Sequence, residues 1–299
     1  VNPSKTVQWA KETVTVIPGF NIPYLPMMEP VIKALKDTDS IGMIMVARLE
    51  LIKFESESLR AIRNEYEKHH DDSHTMLHLD HVPVIDEDNK NVDYESVIAE
   101  AMDLGYQSVM IDGSRLSFDK NVEYTKRIVE IAHEKNIPVE AELGAVMGHE
   151  SGPLPPYNEL FESGKGFTDP DEAQEFINRT GTDWLSVAVG NIHGAISKAK
   201  KDNEKMKARL DIKHLKKISD KTGLPLVLHG GTGISSSIVR EAVKNGIAKI
   251  NIATAIRQPY ERALQNSISA AQEAVYKTML RIIVDELKID GNSKKIKNT

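Results

Sequence analysis

The sequence predicts an α/β protein, a closed (β/α)8 barrel of the TIM type, on three observations. Eight short runs rich in β-branched and apolar residues alternate with amphipathic segments, as a parallel sheet with crossover helices requires. The polar residues that could carry chemistry gather where these runs end, on seven different runs or the loops just after them, and a barrel displays its site at the C-terminal ends of its strands. The alternative, an open dinucleotide-binding sheet, needs a Gly-x-Gly-x-x-Gly turn after the first strand, whereas the glycines of His229-Gly-Gly-Thr-Gly233 follow the seventh.

In chain order, the first strand is read over Val14–Ile22, broken by Pro18-Gly19, and leads to a helix over Pro26–Lys36. Strands over Ile41–Ala47, Thr75–Asp80 and Ser108–Asp112 precede helices over Ser56–His69, Tyr94–Leu104 and Asn121–Lys135. Strands over Pro138–Leu143, Trp184–Gly190, Pro225–His229 and Ala248–Ala253 follow, with helices over Pro170–Arg179, Ile212–Thr222 and Ser236–Asn245. The helices carry apolar residues at three- and four-residue spacing. Asp169 caps a helix with Pro170 at its first position and Glu172 three residues after the cap. Gly105, Gly181, Gly223 and Gly246 stand just past helix ends, as C-terminal caps do. A C-terminal helix is expected over about 256–288, a disordered tail over 289–299, and one domain over 1–299 with its core at about 14–265. Two connections are long: Gly148–Gly166, rich in Gly and Pro, reads as a mobile loop over the site, and the basic segment Ser197–Arg209 as a solvated charge run.

Composition narrows the function. A chain of 299 residues buries a large core, and its formal charge of -6 gives no support for a nucleic-acid or anionic-membrane partner. There is no cysteine, so disulfides and thiolate ligands are excluded and any zinc must be held by histidine and carboxylate. No apolar run approaches the ~20 residues of a membrane span. The cytoplasm is the expected compartment.

The chemistry starts from Thr75-Met-Leu-His-Leu-Asp-His81. Alternation puts His78 and Asp80 on one face, while His81 turns over the strand end. By itself an Asp-His pair reads as a buried hydrogen-bonded couple, and His78, deeper in the strand, is assigned that structural role. His81, His193 and His229 all lie at strand exits, and three imidazoles with an open fourth position suit a catalytic zinc. Glu140 and Glu142 point to the same, interior side of their strand, where buried carboxylates need a cation or hydrogen bonds, and Asp112 is a candidate to join them. The Gly230–Gly233 turn opens a helix and presents backbone N–H groups to a phosphate, with Asn251-Ile-Ala-Thr254 offering further donors.

Seven stretches together carry a resemblance: Leu77–His81, Ser108–Ser114, Val139–Gly144, Phe167–Pro170, Ala188–Gly194, Leu228–Ile234 and Lys249–Thr254. In this order they resemble the class II, metal-dependent fructose-bisphosphate and tagatose-bisphosphate aldolases, over about Pro18 to Ala263. The resemblance implies zinc on His81, His193 and His229, with Asp112 and Glu142 at a second, inner metal position. Asp80 would be the acid/base on the substrate hydroxyl, and Glu150, in the mobile loop, the second proton-transfer residue. Asn21 and Asn251 would contact the ketose. Gly194, Gly230, Gly231, Thr232 and Thr254 would surround the phosphate, with Na+ or K+ beside it. The implied reaction is reversible cleavage of a phosphorylated ketose to dihydroxyacetone phosphate, or an analogue, and an aldehyde through a metal-stabilised enediolate. We expect a homodimer or homotetramer.

The substrate-reading positions depart from the family pattern. Ala47 stands where a phosphate-contacting Ser is usual and is followed by Arg48-Leu-Glu50, Ala253 matches the tagatose branch, and Ala255 replaces a frequent acid. Arg48 either restores an anion contact, to phosphate or to a carboxylate of a ketose acid, or points outward to a helix acid. A non-catalytic sugar-phosphate-binding barrel and a metal-dependent hydrolase are the other classes compatible with the histidines.

Overall fold

The computed structural model describes residues 1–144, 157–191, 209–231 and 233–297. Eight parallel strands close into a barrel in the order β1-β2-β3-β4-β5-β6-β7-β8. They are β1 Ile17–Asn21, β2 Gly42–Ala47, β3 Thr75–Pro83, β4 Ser108–Asp112, β5 Val139–Leu143, β6 Trp184–Val187, β7 Leu226–Leu228 and β8 Ile247–Ile252. The expected (β/α)8 barrel is therefore the architecture. Its helices are α1 Pro3–Glu12, α2 Met28–Asp37, α3 Arg48–Lys53, α4 Leu59–His69, α5 Tyr94–Asp103, α6 Phe118–Glu134 and α7 Tyr157–Ser163. They continue with α8 Pro170–Thr180, α9 Ile212–Thr222, α10 Ser236–Lys244, α11 Thr254–Leu264, α12 Ile268–Leu280 and α13 Asn292–Lys297. Among the described residues no helix is long and apolar enough to cross a membrane.

Alternation along the strands sorts the side chains. Outward residues such as Phe20, Ile44, Leu77, Val109 and Ala141 pack under the helices as one apolar shell. Inside, the bottom of the barrel is apolar, with Ile17, Met43, Met45, Met76, Trp184 and Val227 in one cluster. Gly19 makes room for Met45, whose Sδ would lie 2.3 Å from a Cβ at that position. Above this layer the interior is polar and buried: Asn21, His78, Asp80, Ser108, Glu140, Glu142, Ser186, His229, Lys249 and Asn251. The polar half is the C-terminal half, where a barrel places its site.

Three features differ from the sequence expectation. First, α1 closes the bottom of the barrel with Val7, Trp9 and Ala10. Its start signal is present, since Asn2 accepts from the Lys5 N–H and Pro3 takes the first helical position. Second, the single helix expected over about 256–288 is divided into α11, α12 and a π-helical segment over Arg281–Leu287. Ser267, accepting from the Ala270 N–H at 3.0 Å, caps a new start. Third, the tail expected to be disordered over 289–299 is docked as far as it is described. Ile289, Asn292 and Ser293 are buried, Asn292 Oδ1 accepts from the Ile41 N–H at 2.8 Å, and Asp39 receives the Ser293 hydroxyl and the Lys294 ammonium. Its lysine-rich composition conceals these few specific partners.

Candidate active site

The site begins with an irregularity in β3. His78 and Leu79 pair with Ser108 and Val109, but the next pairs are Val82 with Ile111 and Pro83 with Asp112. Two residues, Asp80 and His81, thus oppose the single Met110, which is a β-bulge. His81 takes φ 27°, a backbone region that non-glycine residues seldom enter. Regular alternation would send Asp80 and His81 to opposite faces. The bulge keeps Asp80 inside and swings His81 across the mouth, and the strand then continues to Pro83 instead of ending at Asp80.

His81 Nδ1 lies 3.3 Å from Asp112 Oδ2, and its Nε2 lies 2.6 Å from His229 Nδ1. His229 Nε2 is 2.7 Å from Glu140 Oε1, with Asn251 Nδ2 beside it at 3.0 Å. A carboxylate holds one nitrogen of each ring, and the other two nitrogens, His81 Nε2 and His229 Nδ1, meet at a distance that a shared proton or a cation must bridge. Two ring nitrogens that converge on one point, with Glu142 Oε2 3.5 Å from His229 Nδ1, fit a cation in place of that proton. Asp80, His81 and His229 form one group with metal-binding spacing, and His81, Asp112 and Glu142 a second that shares its histidine.

The field of the site agrees with this fit. Burial disfavours charge on His81, but Asp80, the bond to Asp112 and Glu142 outweigh it and hold the imidazole up at about 10. Burial and the neighbouring His81 lower His229, and burial and the Asp112 charge raise Glu142 well above the usual carboxylate range. The carboxylates that favour a proton on His81 would act on a divalent cation in the same sense.

Beneath this cluster lies an ion pair that sequence reading missed. Lys249 Nζ is 2.8 Å from Glu140 Oε2, both side chains being fully buried. Trp184 Nε1 donates to the same oxygen at 2.6 Å, and His78, bonded to Ser108 Oγ at 2.8 Å, sits 3.7 Å away. His78 thus makes a buried hydrogen bond through Nδ1, while it also stands with Asp80 and Glu140 in a third group of metal-binding spacing. A lysine two residues before Asn251 on β8 shares its inward face, and that spacing was the available signal.

Asp80 is held by two amides. Asn21 Nδ2 donates to Oδ2 at 2.9 Å and Asn251 Nδ2 to Oδ1 at 2.8 Å. Burial opposes its charge, but His81 and His229 keep its carboxyl below the usual range. Lys249 Nζ donates to Asn251 Oδ1 at 2.6 Å, which fixes which end of that amide faces Asp80. Asn21 Nδ2 also reaches Glu50 Oε2 at 3.2 Å. Glu50, a second residue that sequence reading missed, additionally accepts from the Ala47 N–H at 2.9 Å. That places a buried acid, three residues past the strand end, at the start of α3. Arg48 opens the same helix with Nη1 3.9 Å from Asp86 Oδ2, an acid from the segment after β3.

The glycine-rich turn after β7 comes from two steric requirements. Gly230 has φ 65°, and a Cβ on Gly231 would lie 3.0 Å from Ile250 Cδ1. Ala253 and Thr254 stand at the start of α11, beyond the end of β8. Glu150, His193, Gly194 and Thr232 lie outside the described residues.

Comparison with known proteins extends this picture. Residues 1–294 match the family model described as fructose-bisphosphate aldolase class-II. A fructose-bisphosphate aldolase of Staphylococcus aureus (strain N315) is 40% identical over 174 residues, 58% of this chain and 56% of the relative. One of Staphylococcus epidermidis (strain ATCC 12228 / FDA PCI 1200) is 43% identical over 155 residues, 52% of this chain and 49% of the relative. The chain spans about half the length of these curated relatives. The crystal structure of the YdjI aldolase from Escherichia coli K12 superposes with TM-score 0.75 at 27% identity, covering 98% of this chain and 99% of that one. A fructose-bisphosphate aldolase from Campylobacter jejuni shares the fold, with TM-score 0.73 at 18% identity over 98% of this chain and 97% of that one. A match over nearly the whole sequence, on a barrel whose histidines and carboxylates converge at one mouth, shows that the chain belongs to the class II fructose-bisphosphate aldolase family.

Proposed function

We propose that this protein is a zinc-dependent aldolase that reversibly cleaves a phosphorylated ketose to dihydroxyacetone phosphate, or an analogue, and an aldehyde. The observation that supports the reading is the 2.6 Å approach of His81 Nε2 and His229 Nδ1, two imidazole nitrogens converging on one point ringed by Asp80, Asp112 and Glu142. His81, His193 and His229 would hold the ion, and Asp112 and Glu142 a second, inner position. Nitrogen and oxygen donors without sulfur suit zinc in an open site. A divalent cation there supplies Lewis-acid stabilisation of negative charge on the ketose oxygens.

The remaining steps belong to side chains. Asp80, ionised and held from both sides by Asn21 and Asn251, takes the proton of the hydroxyl at the bond that breaks. The same amides orient the ketose. Glu150 returns a proton to the three-carbon fragment, with its loop excluding water. Gly194, Gly230, Gly231, Thr232 and Thr254 hold the phosphate through backbone and hydroxyl donors, with Na+ or K+ beside them. We assign the reaction to cytoplasmic carbohydrate metabolism and the active form to a homodimer or homotetramer.

The test is a panel of ketose 1-phosphates and 1,6-bisphosphates of different stereochemistry, each incubated with zinc-loaded protein and assayed for dihydroxyacetone phosphate. Release from at least one is the expected result. Hydrolysis to inorganic phosphate with no triose phosphate formed would replace the aldolase reading by that of a hydrolase.

A further inference from the structure

Among the described residues at the barrel mouth, Glu50 is a carboxyl to which the proposed reaction gives no role. Glu50 is 7% exposed. Its Oε2 accepts from the Ala47 N–H and from Asn21 Nδ2, and among the described residues no hydrogen bond or ion pair reaches Oε1. Arg257 of α11, whose charge acts on Glu50, is bonded to Glu261 at 2.7 Å and lies 5.1 Å over the Phe54 ring. Arg48 is turned to Asp86. Oε1 is not among the buried atoms without a partner, so the free oxygen of this otherwise buried carboxyl is the one open to the mouth.

Its place in the mouth tells what it meets. The two protons of Asn21 Nδ2 hold Glu50 on one side and Asp80 on the other. Around the barrel the order β7, β8, β1, β2 separates the glycine-rich turn from Glu50. The phosphate therefore lies at one end of this arc and Glu50 at the other, next to the acid assigned to the hydroxyl of the bond that breaks. Beyond that hydroxyl lies the half of the substrate that departs as the aldehyde.

We propose that Glu50 is a specificity residue for the aldehyde half, accepting hydroxyl groups there and disfavouring a second phosphate or a carboxylate. This rests on the aldolase reading and narrows its substrate to a ketose monophosphate with a neutral, hydroxylated aldehyde portion. Burial, opposed by the Ala47 and Asn21 bonds and reinforced by Asp80, pushes the Glu50 carboxyl up to about 7. An approaching anion meets a carboxylate or forces it to take up a proton, and both routes weaken binding relative to a neutral hydroxyl.

The experiment is run in the condensation direction on zinc-loaded protein, with dihydroxyacetone phosphate and either racemic glyceraldehyde or racemic glyceraldehyde 3-phosphate. The wild type is expected to favour glyceraldehyde in kcat/KM by ~10-fold or more, and Glu50→Gln to shift that ratio toward the phosphorylated aldehyde by a similar factor. Glu50→Asp, which keeps the charge, should retain a preference for glyceraldehyde. A wild-type preference for glyceraldehyde 3-phosphate would overturn the inference and leave the aldolase reading standing. Equal losses with both aldehydes in Glu50→Gln would also overturn it, making Glu50 only a positioning residue for Asn21. If Glu50→Gln does not fold, the wild-type ratio and Glu50→Asp decide. Condensation with neither aldehyde would overturn both the inference and the reading on which it rests.

Discussion

Replacing Asp80 by Asn is expected to lower turnover by ~10²- to 10⁴-fold, the usual contribution of a positioned general acid or base. The substitution keeps size and is expected to leave the barrel folded, but it removes the group proposed to accept the proton. It also turns one acceptor into a donor between Asn21 Nδ2 and Asn251 Nδ2, so one of the two bonds holding the side chain is lost. Steady-state kinetics separate the effects: kcat should fall while KM changes only several-fold, since the contacts proposed for the phosphate are not made by Asp80 or its two amides. Undiminished kcat in Asp80→Asn would remove Asp80 from the chemistry.

The second large effect is on stability. Lys249→Met leaves Glu140 fully buried without its cation, and removing one partner of a buried pair typically costs ~3–5 kcal/mol. Burial alone would raise Glu140, and Lys249 leads the charges that hold its carboxyl well below the usual range. The substitution also releases Asn251 Oδ1, and with it the orientation of the amide on Asp80. Urea denaturation should show the loss, and Glu140→Gln combined with Lys249→Met should recover part of it, because the uncompensated charge is gone. An unchanged midpoint in Lys249→Met would mean that the pair carries little of the stability of the barrel.

Much of this was legible in the sequence because barrel strands carry strong signals. β-branched runs, caps such as Asp169 and glycines past helix ends mark the elements in order, and period-two alternation aims Glu140, Glu142 and Asp80 inward. What escaped depends on contacts between distant segments. The bulge that places His81 beside His229 is set by pairing with β4, and nothing local to Thr75–His81 announces it. Glu50 looks like a surface acid until Asn21 and the Ala47 N–H are brought to it. Lys249 shares the inward face of Asn251, but the partner that allows its burial, Glu140, comes from another strand. The tail is held by Ile41 and Asp39, more than 200 residues away in the chain. Arg48 shows how one strand end decides a role: β2 stops at Ala47, so Arg48 starts a helix and meets Asp86.

The central claim is that a divalent metal held by His81, His229 and His193 is required for carbon–carbon cleavage. Its most direct test follows dihydroxyacetone phosphate release from an active ketose phosphate before chelation, after exhaustive chelation, and after addition of zinc or cobalt, with borohydride added in parallel. The account predicts loss of release on chelation, its return with metal and no covalent adduct. Full turnover by metal-free protein, or a substrate imine trapped on a lysine by borohydride, would contradict it.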